Sequence, residues 1–124
     1  MLKKLTNGEC DVMATACDRW VDDDGLLGYA CARNARRLRD AALEFIDIKN
    51  DAIREFGREV KNEDGAVTAY AIDPGSEAFE RFKERVEPFS GIECEVDIME
   101  VPATEVIGKM TGRESLEIDW MIGE

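Results

Sequence analysis

The amino-acid sequence predicts an α+β fold in which an N-terminal helical hairpin packs with a small antiparallel sheet and two shorter helices. Apolar residues repeat at helical spacing as far as Phe56, and after Gly57 the pattern changes to β-forming residues and then to strand-like alternation. Because the helices come first and the strands later, a parallel βαβ architecture is disfavoured. The length of 124 residues predicts a single domain, 1–124.

The first helix is predicted to begin at Asn7. Thr6 and Glu9 have the spacing of a capping box, in which the hydroxyl accepts from a backbone amide and the carboxylate reaches back. Apolar residues then follow at the spacing of one helical face, until three aspartates and Gly25 end the pattern. The apolar residues of this face are Cys10, Met13, Ala14, Cys17 and Val21.

A second, longer helix is predicted over residues 26–56. No proline interrupts this stretch, and its apolar residues drift around one helical face. At the usual rise, an unbroken helix of this length would be about 45 Å long. Since that exceeds what a small core covers, we expect part of its surface to pack on another copy of the chain, which predicts a homo-oligomer.

The remaining elements are predicted from turn signals and periodicity. The turn at 62–65 indicates a β-hairpin over 58–72, and the sequence Asp-Pro-Gly-Ser indicates the start of a helix that runs to Gly91. The alternation over 92–98 is typical of a strand with one buried face and one acidic face. A last short helix over 116–122 is predicted, with Ser115 as its cap.

The charge and composition exclude some classes of function. The chain has a formal net charge of −12 and a pI near 4.5, so its overall field repels nucleic acid, and direct binding of DNA or RNA is not expected. No stretch approaches the length of a membrane span, and the first residues lack the apolar run of a signal peptide. These features predict a cytoplasmic protein without membrane association.

No motif of a known catalytic or metal centre is present in the sequence. It has no histidine, no GxSxG motif and no glycine-rich phosphate loop. The four cysteines have neither CxxC nor zinc-like spacing, and their positions on apolar faces indicate small buried side chains. We therefore expect no enzymatic activity, no cofactor and no metal.

Four arginines fall within one short stretch of the long helix, against the negative charge of the rest of the chain. Arg33, Arg36 and Arg37 take i, i+3 and i+4 positions, and Arg39 points roughly sideways. Asp40 is within helical reach of Arg36 and Arg37 and can offset one of them. Because like-charged neighbours repel, this arginine cluster (Arg33, Arg36, Arg37 and Arg39) is the candidate site for an anionic ligand or partner.

Two interpretations of the arginine cluster are open at this point. It can be a solvated helix face with ordinary intrahelical ion pairs. Alternatively, its guanidinium groups bind phosphates or carboxylates, and Tyr29 and Asn34 supply stacking and polar contacts. In the second interpretation the ligand-binding residues are Tyr29, Arg33, Asn34, Arg36, Arg37 and Arg39.

Several short phrases occur in an order that resembles one family. KLTNGE occurs near the start of the chain, followed by ARNARRLRD, an EFG helix end, an ECEVDI strand and a final LEIDWMI. This order resembles a small family of uncharacterised phage and prophage proteins that begin with the same L-T-N-G-E phrase. The resemblance implies a viral accessory or late protein in the host cytosol, and it brings no established catalytic residues.

Two functions from different classes fit these observations. In the first, the chain is a phage immune-evasion protein that either sequesters a small, cyclic nucleotide-like signal at the arginine cluster or blocks a host defence protein. The second branch would use Glu93, Glu95 and Asp97 as a nucleic-acid mimic. In the alternative, the chain is a virion assembly or morphogenesis factor that acts through protein-protein contacts.

Overall fold

The structure, a computed structural model, describes residues 1–123 and confirms the α+β class. The chain divides into two compact units, here called the first unit (residues 1–42 and the chain from Glu93 onward) and the second unit (Leu43–Ile92). The sequence predicts a single domain, and none of its turn or composition signals indicates this division. In chain order the elements are β1 (Leu2–Thr6), α1 (Asn7–Asp18), α2 (Leu26–Ala41), α3 (Leu43–Phe56), β2 (Arg58–Lys61), β3 (Val67–Ala71), α4 (Glu77–Ser90), β4 (Glu93–Asp97), β5 (Val101–Pro102), α5 (Gly112–Ser115) and β6 (Ile122–Gly123), with 3-10 helices at Ala103–Glu105 and Leu116–Met121.

The N-terminal part of the first unit follows the prediction. Helix α1 begins at Asn7, where the Glu9 amide donates to the Thr6 hydroxyl at 3.1 Å and the Thr6 amide donates to the Glu9 carboxylate at 3.0 Å. Helices α1 and α2 pack against each other as the predicted hairpin. The capping box thus fixes where the first helix starts, because it satisfies two backbone donors that the helix leaves open.

The first unit contains three strands that the sequence did not predict, namely β1, β5 and β6. Strand β1 pairs antiparallel with β4, so that Lys4 lies opposite Glu95. Strand β4 lies within the predicted range 92–98, whereas β1 has the sequence LKKLT, in which apolar and polar residues do not alternate. A second pairing joins β5 and β6 in parallel. The two ends of the described chain are therefore both held by residues that follow the second unit.

The predicted long helix is wrong, because it breaks at Ala42. This residue has φ −107° and ψ 21°, away from the helical values near −63° and −42°. No glycine or proline marks the break. Leu38 and Ala42 are buried in the first unit, whereas Phe45 belongs to the core of the second. The homo-oligomer expected from an unbroken helix loses that support and stays a prediction.

Small side chains make up much of the core of the first unit. Cys10, Cys17 and Cys31 are fully buried, which confirms their predicted role as small apolar side chains, and Cys94 is half-buried. The Cys10 and Cys94 sulfurs lie 3.4 Å apart. The larger residues of this core come from both parts of the unit and include Leu27, Leu38, Ile98, Val101, Ile118 and Met121.

The second unit is a helix, a hairpin and a second helix. Its core contains Phe45, Ala52 and Val86, with Phe56 and Phe82 partly buried beside them. The hairpin of β2 and β3 is antiparallel and lies inside the predicted range 58–72, with Gly65 at φ 81° in the turn. A left-handed conformation of this kind favours glycine. Phe89 repeats at the helical spacing of Phe82 and Val86, which predicts a core residue, but the structure leaves 37% of it exposed.

The C-terminal helix begins earlier than the sequence indicates. Thr111, not Ser115, is the cap, and it forms a capping box with Glu114. Ser115 is the last residue of α5, which continues into the 3-10 helix Leu116–Met121. The Thr111 and Glu114 pair has the usual spacing of a capping box, but a helix of one turn gives no periodicity by which to find it. Among residues 1–123, no helix is long and apolar enough to cross a membrane.

Candidate functional site

Helix α2 presents the arginines because its apolar residues fix its rotation in the first unit. Leu27, Cys31 and Leu38 are fully buried on one side of the helix. Residues on the opposite side of α2 therefore face away from the core, as the helical period requires. Tyr29, Arg33 and Arg36 are exposed.

A concave region of about 550 Å³ lies against this exposed face of α2. Its lining positions recur every three or four residues, so they form one stripe along the helix. The volume is within the range of roughly 300–1,000 Å³ that small-molecule sites occupy. We call this region the arginine groove, and it is lined by Tyr29, Ala32, Arg33, Arg36, Arg37 and Asp40.

The arginine groove contains four of the six candidate ligand-binding residues, namely Tyr29, Arg33, Arg36 and Arg37. Arg39 is not among its lining residues and instead bonds Asp18 on α1, with Nη1 at 2.8 Å from Oδ1 and Nη2 in contact with Oδ2. This bidentate contact holds the pKa of the Asp18 carboxyl below its usual range. Arg39 therefore serves the packing of α1 on α2, and its proposed role as a ligand contact is not supported.

Asn34 is a correction to the predicted site. It is fully buried, and its side-chain amide is satisfied within the first unit. Asn34 Nδ2 donates to the Met99 carbonyl at 2.9 Å, and the Met99 amide donates to Asn34 Oδ1 at 2.8 Å. Because both ends of the amide are used and no part of it reaches solvent, Asn34 joins α2 to the segment after β4 and cannot contact a ligand.

Arg37 is held in place by the end of β4. Its Nη1 donates to the Asp97 carbonyl at 3.0 Å and to Asp97 Oδ2 at 2.9 Å. The α-amino group of Met1 and then Arg37 keep the pKa of Asp97 below its usual range. Within residues 1–123 the other Arg37 nitrogens make no hydrogen bond, so this guanidinium has a fixed position and unused donors.

Arg33 and Arg36 form no hydrogen bond or ion pair with any residue that the structure describes. The chain has 28 acidic residues against 16 basic ones, so carboxylate partners are in excess. Among residues 1–123, seven of the ten arginines form an ion pair with a carboxylate. The arginines in ion pairs are Arg19, Arg37, Arg39, Arg54, Arg58, Arg81 and Arg85. Two unpaired guanidinium groups one turn apart on one helix are thus the distinctive feature of this surface.

Tyr29 and Asp40 mark the two ends of the arginine groove. Tyr29 is 59% exposed, and its ring has no aromatic or cation-π partner in the described part of the chain. Asp40 was expected to offset Arg36 or Arg37, but it forms no ion pair with either. The groove therefore offers an uncovered ring, three guanidinium groups and an uncommitted carboxylate along one helix face.

The acidic face of β4 is less negative than the sequence indicates. Lys4 Nζ lies 3.6 Å from the Glu93 carboxylate, and Asp97 is bonded by Arg37 and by the Met1 amino group. Two of the three acids proposed as a nucleic-acid mimic are thus paired with cations of the first unit. These ion pairs lower the net negative charge of the face, which weakens its resemblance to a phosphate backbone.

Sequence reasoning named Asp97 only as part of the acidic face and missed its contact with Arg37. Asp97 is far from Arg37 in the chain, and only the packing of β4 beside α2 brings the two together. Ala32 was also missed, although its spacing of three residues from Tyr29 places it on the same stripe. In the described residues, no group of three or more Cys, Asp or Glu side chains is arranged to hold a metal ion.

No protein-family model matches this chain, and comparisons with curated proteins and with solved structures likewise found no match. The arginine groove is therefore interpreted from its own chemistry.

Proposed function

We propose that this chain is a non-enzymatic binding protein that takes a small, cyclic nucleotide-like anion in the arginine groove and thereby removes it from solution. The observation that carries the proposal is the pair of unpaired arginines, Arg33 and Arg36, beside the anchored Arg37. A guanidinium group binds a phosphate through two parallel hydrogen bonds, which makes arginine the side chain best suited to phosphate recognition.

The three arginines have different parts in this proposal. Arg37 is already oriented by Asp97, so little side-chain entropy is lost when its unused nitrogens meet a phosphate. Arg33 and Arg36 are repelled by each other and by Arg37 in the free protein. A phosphate relieves this repulsion, which makes binding of an anion more favourable than the net charge of the chain suggests.

Tyr29 gives the site a means to recognise the base of a nucleotide. Its exposed ring lies one turn before Arg33 on the same face of α2. Stacking of a base on an aromatic side chain contributes roughly 1–3 kcal/mol and tolerates any base, because every base has a π-face. The arrangement of a ring beside cations is thus complementary to a nucleotide rather than to phosphate alone.

The biological part of the proposal is immune evasion by sequestration of a host-defence nucleotide signal in the host cytosol. It rests on the resemblance to phage and prophage proteins and on the arginines and exposed ring of the groove, which suit the binding of a nucleotide. The paired acids of β4 disfavour the branch in which this face blocks a defence protein, and virion assembly is the alternative if no anion binds.

The test is a thermal-shift screen of the full chain against cyclic di- and trinucleotides, ADP-ribose derivatives and simple nucleotides. A ligand that binds only the folded state raises the melting temperature by mass action. We expect at least one compound to raise Tm by several degrees, and the double variant Arg33→Ala with Arg36→Ala to lose that rise. Arg113→Ala is the matched control, since Arg113 is also exposed and unpaired in the described structure but lies on α5.

Two outcomes would contradict the proposal. The first is an unchanged Tm with every compound, which would move the function to a protein partner and to assembly. The second is a rise that the folded double variant keeps. Chromatography of the bound compound adds a separate check, because a sequestering protein returns its ligand unaltered, whereas a hydrolysed ligand would show an enzyme.

A further inference from the structure

Asp40 is the residue of the arginine groove that phosphate binding alone does not explain. A carboxylate repels phosphate, yet Asp40 lines the same groove as the three arginines. It also lies in the last turn of α2, where the negative end of the helix dipole disfavours an acid. Since neither helix stability nor phosphate binding calls for a carboxylate here, its chemistry points to a hydrogen-bond donor on the ligand.

Arg36 and Asp40 are placed to act together on one group. They are four residues apart on one helix face, which puts their Cβ atoms about 5–6 Å apart. They nevertheless form no ion pair, and arginine before the acid is the weaker orientation for such a pair. Both side chains are exposed, and within residues 1–123 neither has a hydrogen-bond partner.

The ligand group that matches a cation beside a carboxylate is guanine. Guanine has two acceptors, O6 and N7, on one edge, and arginine binds them through two hydrogen bonds. Its N2 amino group, with the neighbouring N1, supplies donors that a carboxylate accepts. Adenine has a donor in place of O6, so it cannot accept both hydrogen bonds from the same guanidinium group.

The rest of the groove provides for the other parts of such a ligand. Tyr29 and Asp40 are eleven positions apart, which corresponds to about 16 Å along the helix. Arg33 and Arg37 lie between them and are available to phosphates. The groove can therefore hold one base of the ligand on the Tyr29 ring and the phosphates at Arg33 and Arg37. A guanine then lies at Asp40, at the other end of the groove.

We propose that the arginine groove selects a cyclic dinucleotide that contains guanine, with Arg36 donating to O6 and N7 and Asp40 accepting from N1 and N2 of one base. This specificity rests on the proposed function, because it needs the same groove to bind the phosphates. Tyr29 stacks the second base without selecting it.

Isothermal titration of the full chain with cyclic di-GMP, cyclic di-AMP and cyclic di-IMP tests this assignment. We expect cyclic di-GMP to bind about 10- to 100-fold more tightly than cyclic di-AMP, the range given by one good bidentate contact. Cyclic di-IMP lacks only the N2 amino group, so it should bind with intermediate affinity.

The variant Asp40→Asn separates base recognition from charge. It should weaken cyclic di-GMP about tenfold and reduce the difference between cyclic di-GMP and cyclic di-IMP, because Asn retains one acceptor oxygen where Asp has two, while cyclic di-AMP binds equally well or more tightly. Loss of a negative charge by itself would strengthen all three ligands. Asp22→Asn, an exposed acid of the first unit outside the groove, is the matched control and should leave all three affinities unchanged.

The outcomes distinguish the two proposals. Equal affinity for all three ligands, or a uniform response to Asp40→Asn, overturns the guanine assignment and leaves the proposed anion binding intact. Absence of binding by every cyclic dinucleotide, with no Tm change for other anions, overturns both. An undiminished difference between cyclic di-GMP and cyclic di-IMP in Asp40→Asn shows that another residue reads the N2 amino group and refutes the role of Asp40, whereas a preference over cyclic di-AMP that persists is expected from Arg36.

Discussion

The first and second units of this chain bury their residues to different extents. In the first unit, α1, α2 and the segment after β4 contribute many fully buried side chains, including Leu27, Leu38, Ile118 and Met121. In the second unit only Phe45, Ala52 and Val86 are buried, and residues 61–70 of the hairpin region are exposed throughout. The difference predicts that the second unit opens more readily, since local stability follows buried apolar contact.

This contrast bears on the site, because the arginine groove belongs entirely to the more deeply packed unit. Helix α2 is held by its buried face, by Asn34 and by the Arg39 contact with Asp18. A binding surface on a rigid element keeps its side chains in position with little entropy loss on binding. The dense core of the first unit thus serves the groove as well as stability.

The largest expected change in the free energy of unfolding comes from truncating a core residue, and it should differ between the two units. Leu38→Ala should lower the free energy of unfolding by about 3 kcal/mol, because Leu38 is fully buried in the first unit. Val86→Ala in the second unit should cost about 1.5 kcal/mol, since it removes the equivalent of two methylene groups from a thinner core. Urea denaturation followed by fluorescence measures both, and an equal cost would contradict the contrast between the units.

Asn34→Leu should destabilise the first unit by about 2 kcal/mol. The substitution conserves size but leaves the Met99 amide and carbonyl without their partners in a covered position. Asn50→Leu is the control, because Asn50 is exposed on α3 and should change stability by less than about 0.5 kcal/mol. A neutral effect of Asn34→Leu in urea denaturation would show that this amide does not hold α2.

Alkaline pH should destabilise the first unit. Burial, and then the neighbouring Cys94 thiol, raise the pKa of Cys10 to about 12 from an ordinary 9.0. The unfolded chain therefore loses this proton first, so stability that is complete below pH 9 is lost as pH rises toward 12. At pH 10 we expect a loss of about 1 kcal/mol relative to pH 8.

Cys10→Ala tests the source of this pH dependence. Its stability should fall less steeply than that of the unchanged protein between pH 8 and pH 10 in urea denaturation. Identical slopes for the two proteins would assign the alkaline loss to other groups.

The smallest expected changes in the free energy of unfolding come from replacing two arginines of α2. Arg39→Ala breaks the contact with Asp18 and should cost about 0.5–1 kcal/mol, as expected for an exposed bidentate pair. Arg33→Ala should change the free energy of unfolding by less than about 0.5 kcal/mol, because Arg33 has no partner in residues 1–123. If Arg33→Ala proves as costly as Arg39→Ala in thermal unfolding, Arg33 has a structural role and the groove loses one of its free cations.

The amino-acid sequence by itself determined the elements that depend on neighbouring residues. The Thr6 and Glu9 capping box sets the start of α1, the turn at 62–65 sets the hairpin, and alternation marks β4. The spacing of Tyr29, Arg33, Arg36 and Arg37 also follows from the helical period alone. Such signals are readable because they act over only a few residues.

Only the tertiary structure decided which of these residues are available to a ligand. The break at Ala42 separates two cores that a continuous apolar stripe does not distinguish. The burial of Asn34 against Met99, the contact of Arg39 with Asp18 and the anchoring of Arg37 by Asp97 join distant parts of the chain. These contacts form when buried faces meet, and no local pattern records which faces those are.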